Sequence, residues 1–338
     1  MTRVDRIHGA LVGAAVGDAL GAATELRTAR QIRELFGGEV TSFHTPPPDT
    51  FARGRTPGTV TDDFSQAYYL ARAIIDRAGA LDRETGRQAV LAWWADDRYR
   101  EFAGPTTRRA IARLSGEDVE EPFFLYRGGE ATNGAAMRIG PVGCVARSMD
   151  EAIDGAIAVS LATHDNHLAA AAAAVVAAGV TAGVNDPETG PQEVQLAFVV
   201  EACLRAAARA EARALELTHE VAGASVAART EFAVQLARRS ASLDEATTRI
   251  AELIGTGLKA NEAVPAAVGI LAAAPDAFSA VTAAVNAGDD TDTVATIVGA
   301  LAGAAAGAGA FPADLTRTVD EVNGFDLAAT ARALADLG

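Results

Sequence analysis

The sequence predicts an all-α protein. Small and apolar residues recur three and four positions apart, as at Ile7, Ala10 and Leu11, which is the period of an amphipathic helix. Runs that alternate apolar and polar residues between hairpin turns are essentially missing, and only 40–43 could be a short extended piece. We therefore expect ten or more helices that pack closely through their many Ala and Gly residues.

Composition restricts the class of protein. Of the 338 residues 49% are hydrophobic but only 5% aromatic, so Ala, Val and Leu must form most of a large core. Lys and Arg number 29 against 44 Asp and Glu, and the net charge of −15 argues against a nucleic-acid partner. The two cysteines, Cys144 and Cys203, exclude a disulfide scaffold and suit a reducing compartment, so we expect a cytoplasmic protein.

The chain is predicted to form a single domain over 1–338, because no linker or fixed-period repeat divides it. A division near residue 185 is the alternative. Proline is tolerated at the first turn of a helix, and five prolines fall where helices are expected to start, namely Pro105, Pro191, Pro265, Pro275 and Pro312.

Three apolar segments superficially resemble export or membrane segments. The N-terminal one resembles a signal peptide, but Asp5 and Asp18 interrupt its basic and apolar parts. The other two, Leu168–Val184 and Val294–Phe311, consist mainly of Ala and Gly, which insert poorly into membranes. We expect buried core helices and no membrane partner.

Two short oxygen-rich stretches each run directly into a helical pattern, GTVTDD at 58–63 and GDDTDT at 288–293. One Asp or Thr would suffice to cap each helix. The adjacent acids exceed that need, and without a cation they would repel one another and raise each other's pKa. From the residues alone, a metal site and helix caps with solvated charge both remain open.

The donor atoms limit the metal. Carboxylate and hydroxyl oxygens suit Mg²⁺, Mn²⁺ or Ca²⁺, and the lack of His and Cys in both stretches argues against zinc. Five or six such groups could hold two cations about 3.5–4 Å apart, an arrangement that polarises a substrate oxygen and activates water.

Three further segments carry weaker signals. Gly13, Gly17 and Gly21 form a smooth helical stripe typical of close packing, and Glu25 follows where that helix should end. The Gly-rich segment 132–143 could cradle a phosphate, although an ordinary turn is the alternative. In 162–167, ATHDNH, two His three apart could bind metal, but hydrogen-bonded residues at a helix start are the commoner interpretation.

Taken together and in this order, these segments resemble the ADP-ribosylglycohydrolase family. The matching pieces run from residue 9 to about 307, and the pair of TDD and DDTDT is the most specific of them. They are GDALGAATE at 17–25, PGTVTDD at 57–63, NGAAMRIGPVG at 133–143, ATH at 162–164 and GDDTDTVATIVGALAGA at 288–304.

The resemblance implies an all-α orthogonal multi-helix bundle with two Mg²⁺ or Mn²⁺ ions in a cleft. By position, the metal ligands would be Thr61, Asp62, Asp63, Asp290, Asp292 and Thr293. Asp289 stands where the family commonly has Gly and is expected to lie next to these ligands without binding the metal.

The resemblance also implies the other site residues. Glu25 matches a mobile acidic residue that gates the site or acts as general acid/base, and with Asp62 and Asp63 it forms our catalytic set. The expected substrate-binding residues are Asn133, Gly134, Met137, Arg138 and His164.

Two departures from the family pattern are expected near the substrate cleft and leave the leaving group open. Phe64 stands where the family often has Thr, and Asp165-Asn166-His167 follows His164 in place of a Pro-containing turn.

The implied activity is hydrolysis of a glycosidic bond at ribose C1, in ADP-ribosylated protein or a related ADP-ribosyl compound. One alternative is an N-glycoside hydrolase that acts on a small nucleoside or nucleotide. Two others are a non-catalytic relative, like the lens crystallins that resemble this family, and an ADP-ribose-binding module without turnover. The intact acidic set argues against the non-catalytic relative.

Overall fold

Helices make up nearly all of the regular structure in the computed structural model, which describes residues 1–117, 119, 131–185 and 189–338. Seventeen α-helices lie within these ranges, which confirms the predicted all-α fold. They are α1 (Arg3–Gly21), α2 (Ala29–Phe36), α3 (Asp62–Asp76), α4 (Arg83–Trp94), α5 (Pro105–Leu114), α6 (Gly134–Met137), α7 (Gly140–Val145), α8 (Met149–Ser160), α9 (His167–Asn185), α10 (Gln192–Leu217), α11 (Val226–Arg238), α12 (Leu243–Leu253), α13 (Ala260–Ala273), α14 (Ala277–Val285), α15 (Thr291–Ala306), α16 (Ala313–Asn323) and α17 (Leu327–Ala335).

One pair of two-residue strands joins the end of α1 to the start of α15. β1 (Arg27–Thr28) and β2 (Gly288–Asp289) run antiparallel, with Arg27 opposite Asp289. The segment 40–43 forms no strand, and the N–H of Val40 instead donates to the Asn286 side chain at 2.9 Å. The sequence did not reveal the pair, because two residues are too few to show an alternating pattern.

Helices α1 and α15 touch along their backbones, as the glycine stripe predicts. A Cβ added to Gly17 would lie 2.2 Å from the Ala295 carbonyl oxygen, and one added to Gly21 would lie 2.4 Å from the Asp292 Cα. Such distances leave no room for a side chain at either glycine. The contact therefore fixes the start of α15, where the second acidic stretch lies.

The buried apolar side chains form one continuous cluster that extends from Ile7 to Leu334. The single domain over 1–338 stays a prediction. Residues 186 and 187, which belong to the alternative domain boundary near residue 185, lie outside the described residues.

Both long apolar segments form buried helices, as predicted. Among the described residues, α9 is the one helix long and apolar enough to cross a membrane, and its apolar stretch is wholly buried inside the protein. Helix α15 is also buried along its length. It ends at Ala306, before the predicted end at Phe311, because Gly307 adopts a positive φ of 76°.

The prolines mark helix starts with one exception. Pro105 opens α5, while the other three correctly predicted prolines lie just before their helices. The prediction for Pro265 is wrong, because this residue lies inside α13. Proline has no N–H to offer the Asn261 carbonyl, and the Arg229 guanidinium donates to that carbonyl at 2.9 Å instead.

Candidate functional site

The two acidic stretches meet in the folded chain, at the first turns of α3 and α15. The Thr61 hydroxyl lies 3.1 Å from Asp63 Oδ2 and 3.5 Å from Asp292 Oδ2, across 231 positions of sequence. Asp62 is partly exposed, whereas the other predicted metal ligands are buried. The structure therefore brings all six predicted ligands into one region.

Asp18, on α1, holds the first stretch in place. Its carboxylate is fully buried and accepts the backbone N–H groups of Thr61 at 2.9 Å and Phe64 at 2.8 Å. It thus caps α3 from a neighbouring helix. Burial and the charge of Asp292 raise the pKa of Asp18 well above its usual value. In the sequence Asp18 stood out only as an acid that interrupts an apolar run, so its role in capping α3 was not predicted.

Glu25 lies buried in the turn after α1. Its Oε1 accepts the N–H of Phe51 at 2.8 Å, and the N–H of Leu26 donates to the Asp289 carbonyl at 2.8 Å. Burial and the charge of Asp292 raise the pKa of Glu25 to about 10. Glu25 therefore holds a proton at neutral pH, which is the state required of a general acid.

The acids at the two helix starts disfavour one another's charge. Burial and the charge of Asp292 raise the pKa of Asp62 to about 7, and raise the pKa values of Asp63 and Asp290 well above the usual range. This is the repulsion expected of clustered carboxylates without a counter-ion. The amide of Asn133 donates to Asp290 Oδ2 at 2.6 Å, whereas Asp63 Oδ1 is buried without a hydrogen-bond partner.

Within the described ranges, no three Asp, Glu, His or Cys side chains are already arranged to hold a metal ion. Two of the carboxylates are occupied in other ways, because Asp63 Oδ2 accepts from Thr61 and Asp290 Oδ2 accepts from Asn133. The donors still fit a hard cation by their chemistry, since all are oxygen atoms and Asp63 Oδ1 has no hydrogen-bond partner. The ligand set stays a prediction.

Arg138 connects the Gly-rich segment to the acidic region. Its buried guanidinium donates to Gln66 Oε1 at 2.7 Å and to the Thr163 hydroxyl, while the Gln66 amide donates to Asp62 Oδ2 at 3.2 Å. Burial lowers the pKa of Arg138 to about 10. Gln66 was missed in the sequence, although its position four residues after Asp62 on one helix face is a signal that could have found it.

His164 is buried with both ring nitrogens hydrogen-bonded. Nδ1 lies 2.7 Å from the Thr163 hydroxyl and Nε2 lies 2.9 Å from the Thr132 hydroxyl. Burial and the Arg138 charge lower the pKa of His164 to about 3, so the ring is neutral. A Cβ on Gly134 would lie 3.1 Å from His164 Cε1, and Met137 is buried on the same short helix, α6. His164 therefore supports the segment that carries Asn133.

Phe64, one of the two departures from the family pattern, directly follows Asp63 in α3, and its nearness to a substrate cleft stays a prediction. Its ring is fully buried and packs edge-on against Phe325, with the ring centroids 5.7 Å apart. Asp289, which replaces a common glycine, has a φ of 66° and an exposed side chain. This left-handed conformation explains the preference for glycine.

The other departure, 165–167, forms the start of α9. Asp165 pairs with His219 at 3.1 Å, where both side chains are well exposed, and Asn166 Oδ1 accepts the N–H of Ala169 at 3.0 Å. The His167 ring accepts the N–H of Val221 at 3.2 Å. These contacts support the interpretation of His164 and His167 as hydrogen-bonded residues near a helix start.

The acidic region thus consists of the first turns of α3 and α15. The Glu25 turn and the Gly-rich segment 132–143 lie beside it, within an all-α fold. The sequence model of the ADP-ribosylglycohydrolase family matches residues 1–338. The chain belongs to the ADP-ribosylglycohydrolase family. This confirms the resemblance seen in the motifs and supports a hydrolase activity of the family type.

Individual relatives agree with this membership. The uncharacterized protein YegU of Escherichia coli (strain K12) is 31% identical over 339 residues, which cover 98% of this chain and 97% of YegU. The ADP-ribosyl-[dinitrogen reductase] glycohydrolase of Rhodospirillum rubrum is 35% identical over 137 residues, which cover 40% of this chain and 43% of that protein. A solved structure, an ADP-ribosylglycohydrolase-related protein complex, has a TM-score of 0.68 at 27% identity and covers 99% of this chain and 98% of its own.

We expect the melting temperature of this family member, in EDTA, to fall by about 5 °C or more between about pH 5 and pH 8. The folded-state pKa of Asp62 is about 7, above the ordinary value near 4, so the folded state binds more protons in this window. Stability is then lost as the pH rises through the folded pKa. Mg²⁺ or Mn²⁺ should restore the melting temperature, most strongly at pH 8.

Scanning calorimetry on wild type, Asp62→Asn and Asp244→Asn measures this effect. Asp62→Asn should flatten the pH dependence, whereas Asp244→Asn, at a highly exposed side chain, should retain it. Equal pH dependence in all three proteins, with no response to cations, would contradict the electrostatic interpretation.

Proposed function

We propose that this protein hydrolyses the glycosidic bond at ribose C1 of an ADP-ribosylated protein or a related ADP-ribosyl compound. The observation that carries the proposal is the meeting of the two acidic stretches beside the buried Glu25. Family membership and the partial relative from Rhodospirillum rubrum, which is named for this type of reaction, support it.

We propose two Mg²⁺ or Mn²⁺ ions as cofactors, because the family is generally metal-dependent. The residues that would hold them are Thr61, Asp62, Asp63, Asp290, Asp292 and Thr293. When bound, such cations supply Lewis acidity and positive charge that offsets the clustered carboxylates. Because they would offset the charge of Asp292 that disfavours ionisation of Asp62, Asp63 and Asp290, bound cations would stabilise the protein.

The chain's own residues supply the remaining chemistry. Glu25 can donate its proton to the oxygen or nitrogen of the leaving group as the bond to C1 breaks. A water molecule forms the new bond to C1 through its oxygen, and the proton that it loses restores Glu25. Arg138 orients Asp62 through Gln66, and Asn133 orients Asp290 by its amide N–H. These fixed contacts favour one arrangement of the carboxylates in advance of the reaction.

The direct test incubates the protein with a substrate protein ADP-ribosylated on arginine or on serine, and measures release of ADP-ribose. We expect release with Mg²⁺ or Mn²⁺, and loss of at least about 90% of it after treatment with EDTA. Readdition of the cation should restore activity, which separates metal removal from unfolding.

A parallel panel of nucleosides and nucleotides, read by release of the free base, tests the small-substrate alternative. Lack of ADP-ribose release with every cation, at high protein concentration, would contradict the proposed function. Base release in its place would favour the N-glycoside hydrolase. The cytoplasmic location predicted from the cysteine content stays a proposal that these assays do not address.

A further inference from the structure

The turn that carries Glu25 is joined to the start of α15 by a pair of buried hydroxyl groups. Thr24 Oγ1 lies 2.9 Å from Thr291 Oγ1, and neither side chain is exposed to solvent. Thr24 immediately precedes Glu25, and Thr291 lies between Asp290 and Asp292. Each hydroxyl therefore belongs to a residue bonded directly to an acid of the candidate site.

The neighbouring carbonyl groups determine the direction of this hydrogen bond. The Gly21 carbonyl already accepts the N–H groups of Thr24 at 2.8 Å and Glu25 at 3.0 Å, which fills its two lone pairs. The Thr291 hydroxyl, 3.2 Å from that oxygen, therefore donates to the nearer Thr24 Oγ1. The Thr24 hydroxyl donates in turn to the Val285 carbonyl at 2.8 Å, at the end of α14, where carbonyls have no partner inside the helix. The pair thus connects the turn after α1 to both α14 and α15.

The backbone of Glu25 is held on both sides, because Leu26 is also tied to the second acidic stretch. The N–H of Leu26 donates to the Asp289 carbonyl at 2.8 Å. Glu25 cannot shift relative to Asp292 without breaking this bond or the buried bond of Thr24. Loss of the buried bond is costly, because no water replaces the missing partner.

Neutral groups suit this connection, because the segments that they join carry like charges. Besides burial, the charge of Asp292 raises the pKa of Glu25, which means that the two carboxylates repel each other when both are ionised. A lysine or arginine at this place would hold the segments together but would also repel a cation. Two hydroxyls hold them without adding charge. We propose that Thr24 and Thr291 are positioning residues that fix Glu25 relative to Asp290 and Asp292, an inference that rests on the proposed function.

The experiment removes each hydroxyl while keeping the shape of the side chain. Thr24→Val and Thr291→Val replace the hydroxyl by a methyl group, whereas Thr24→Ser and Thr291→Ser retain it. Binding of Mn²⁺ alone, without substrate, is measured from the electron paramagnetic resonance signal of the free ion. We expect the valine variants to weaken the Kd for Mn²⁺ about tenfold, because Asp290 and Asp292 are no longer held in place. The serine variants should stay within about threefold of wild type.

The kinetics of ADP-ribose release at saturating Mn²⁺ give a second readout. In Thr24→Val, kcat should fall about tenfold while KM changes less than about threefold, because Glu25 acts on the leaving group as the bond breaks. Thr24→Ser should restore kcat. The double variant Thr24→Val/Thr291→Val should lose less than the product of the two single losses, since the two hydroxyls share one hydrogen bond.

Thr181→Val is the matched control, because Thr181 is a buried threonine of α9 whose hydroxyl lies 2.9 Å from the Ala177 carbonyl and 3.1 Å from the Gly143 carbonyl. It should lower the melting temperature but leave the Kd for Mn²⁺ within about twofold of wild type. Thr24→Ala, which places no methyl group against the Val285 carbonyl, takes the place of Thr24→Val if that variant does not fold.

The outcomes separate this inference from the proposed function. Folded variants without the hydroxyls that keep the wild-type Kd and kcat would overturn the inference and leave the proposed function intact. A wild type that binds Mn²⁺ but releases no ADP-ribose would overturn the proposed function, and an unchanged Kd in the valine variants would then overturn the positioning role as well. A wild type that binds no Mn²⁺ would overturn both the proposed cofactor and this inference.

Discussion

Asp292→Asn is expected to lower kcat/KM for ADP-ribose release at least about a thousandfold while raising the melting temperature of the cation-free protein. The charge of Asp292 contributes to the raised pKa values of Glu25, Asp62, Asp63 and Asp290. Asparagine keeps the shape of the side chain but removes this charge, so the remaining carboxylates repel one another less. Loss of a proposed metal ligand would at the same time abolish hydrolysis.

The combination of higher stability and lost activity is the informative result, because a residue needed only for folding would lose both. Calorimetry in EDTA and the release assay measure the two effects on one preparation. Asp244→Asn, which removes an exposed charge elsewhere, should change neither by more than a small amount. An active Asp292→Asn protein would exclude Asp292 from the metal set.

Gly17→Ala is expected to destabilise the protein by about 2–3 kcal/mol, even though alanine is the better helix former by about 1 kcal/mol. The added methyl group would lie 2.2 Å from the Ala295 carbonyl oxygen and 2.5 Å from its carbonyl carbon. These are backbone atoms of α15, which cannot move aside without separating the two helices. The free energy of unfolding from urea titration measures the effect.

Gly309→Ala provides the control for this substitution. No heavy atom lies within 4 Å of a Cβ added at Gly309, so its stability should change by about 0.5 kcal/mol or less. If the two variants proved equally stable, the backbone contact between α1 and α15 would not be the feature that makes glycine necessary.

Local signals account for the parts of the site that were predicted. The Thr61-Asp62-Asp63 and Asp290-to-Thr293 stretches carry more acid than a cap needs, and this excess is visible without a structure. Gln66 was within reach of the same reasoning, since helical spacing alone places it beside Asp62.

Other contacts had no local signal. Asp18 accepts the N–H of Thr61 from 43 positions away, and the β1–β2 pair joins residues 260 and 262 positions apart. Phe64 was expected near the substrate cleft, and only the tertiary structure shows that its ring is buried against Phe325. The sequence also predicted a helix start at Pro265, but this residue lies inside α13. The distant Arg229 donates to the Asn261 carbonyl, which the proline cannot do.

The sequence by itself determined the helical fold, the close packing of its glycine stripe and the oxygen-rich chemistry of the two acidic stretches, because periodicity and composition are local properties. Only the tertiary structure decided that the stretches meet and that Asp18 and Arg138 orient them. The physical reason is that burial, and the pKa values that burial raises or lowers, depend on which segments pack together.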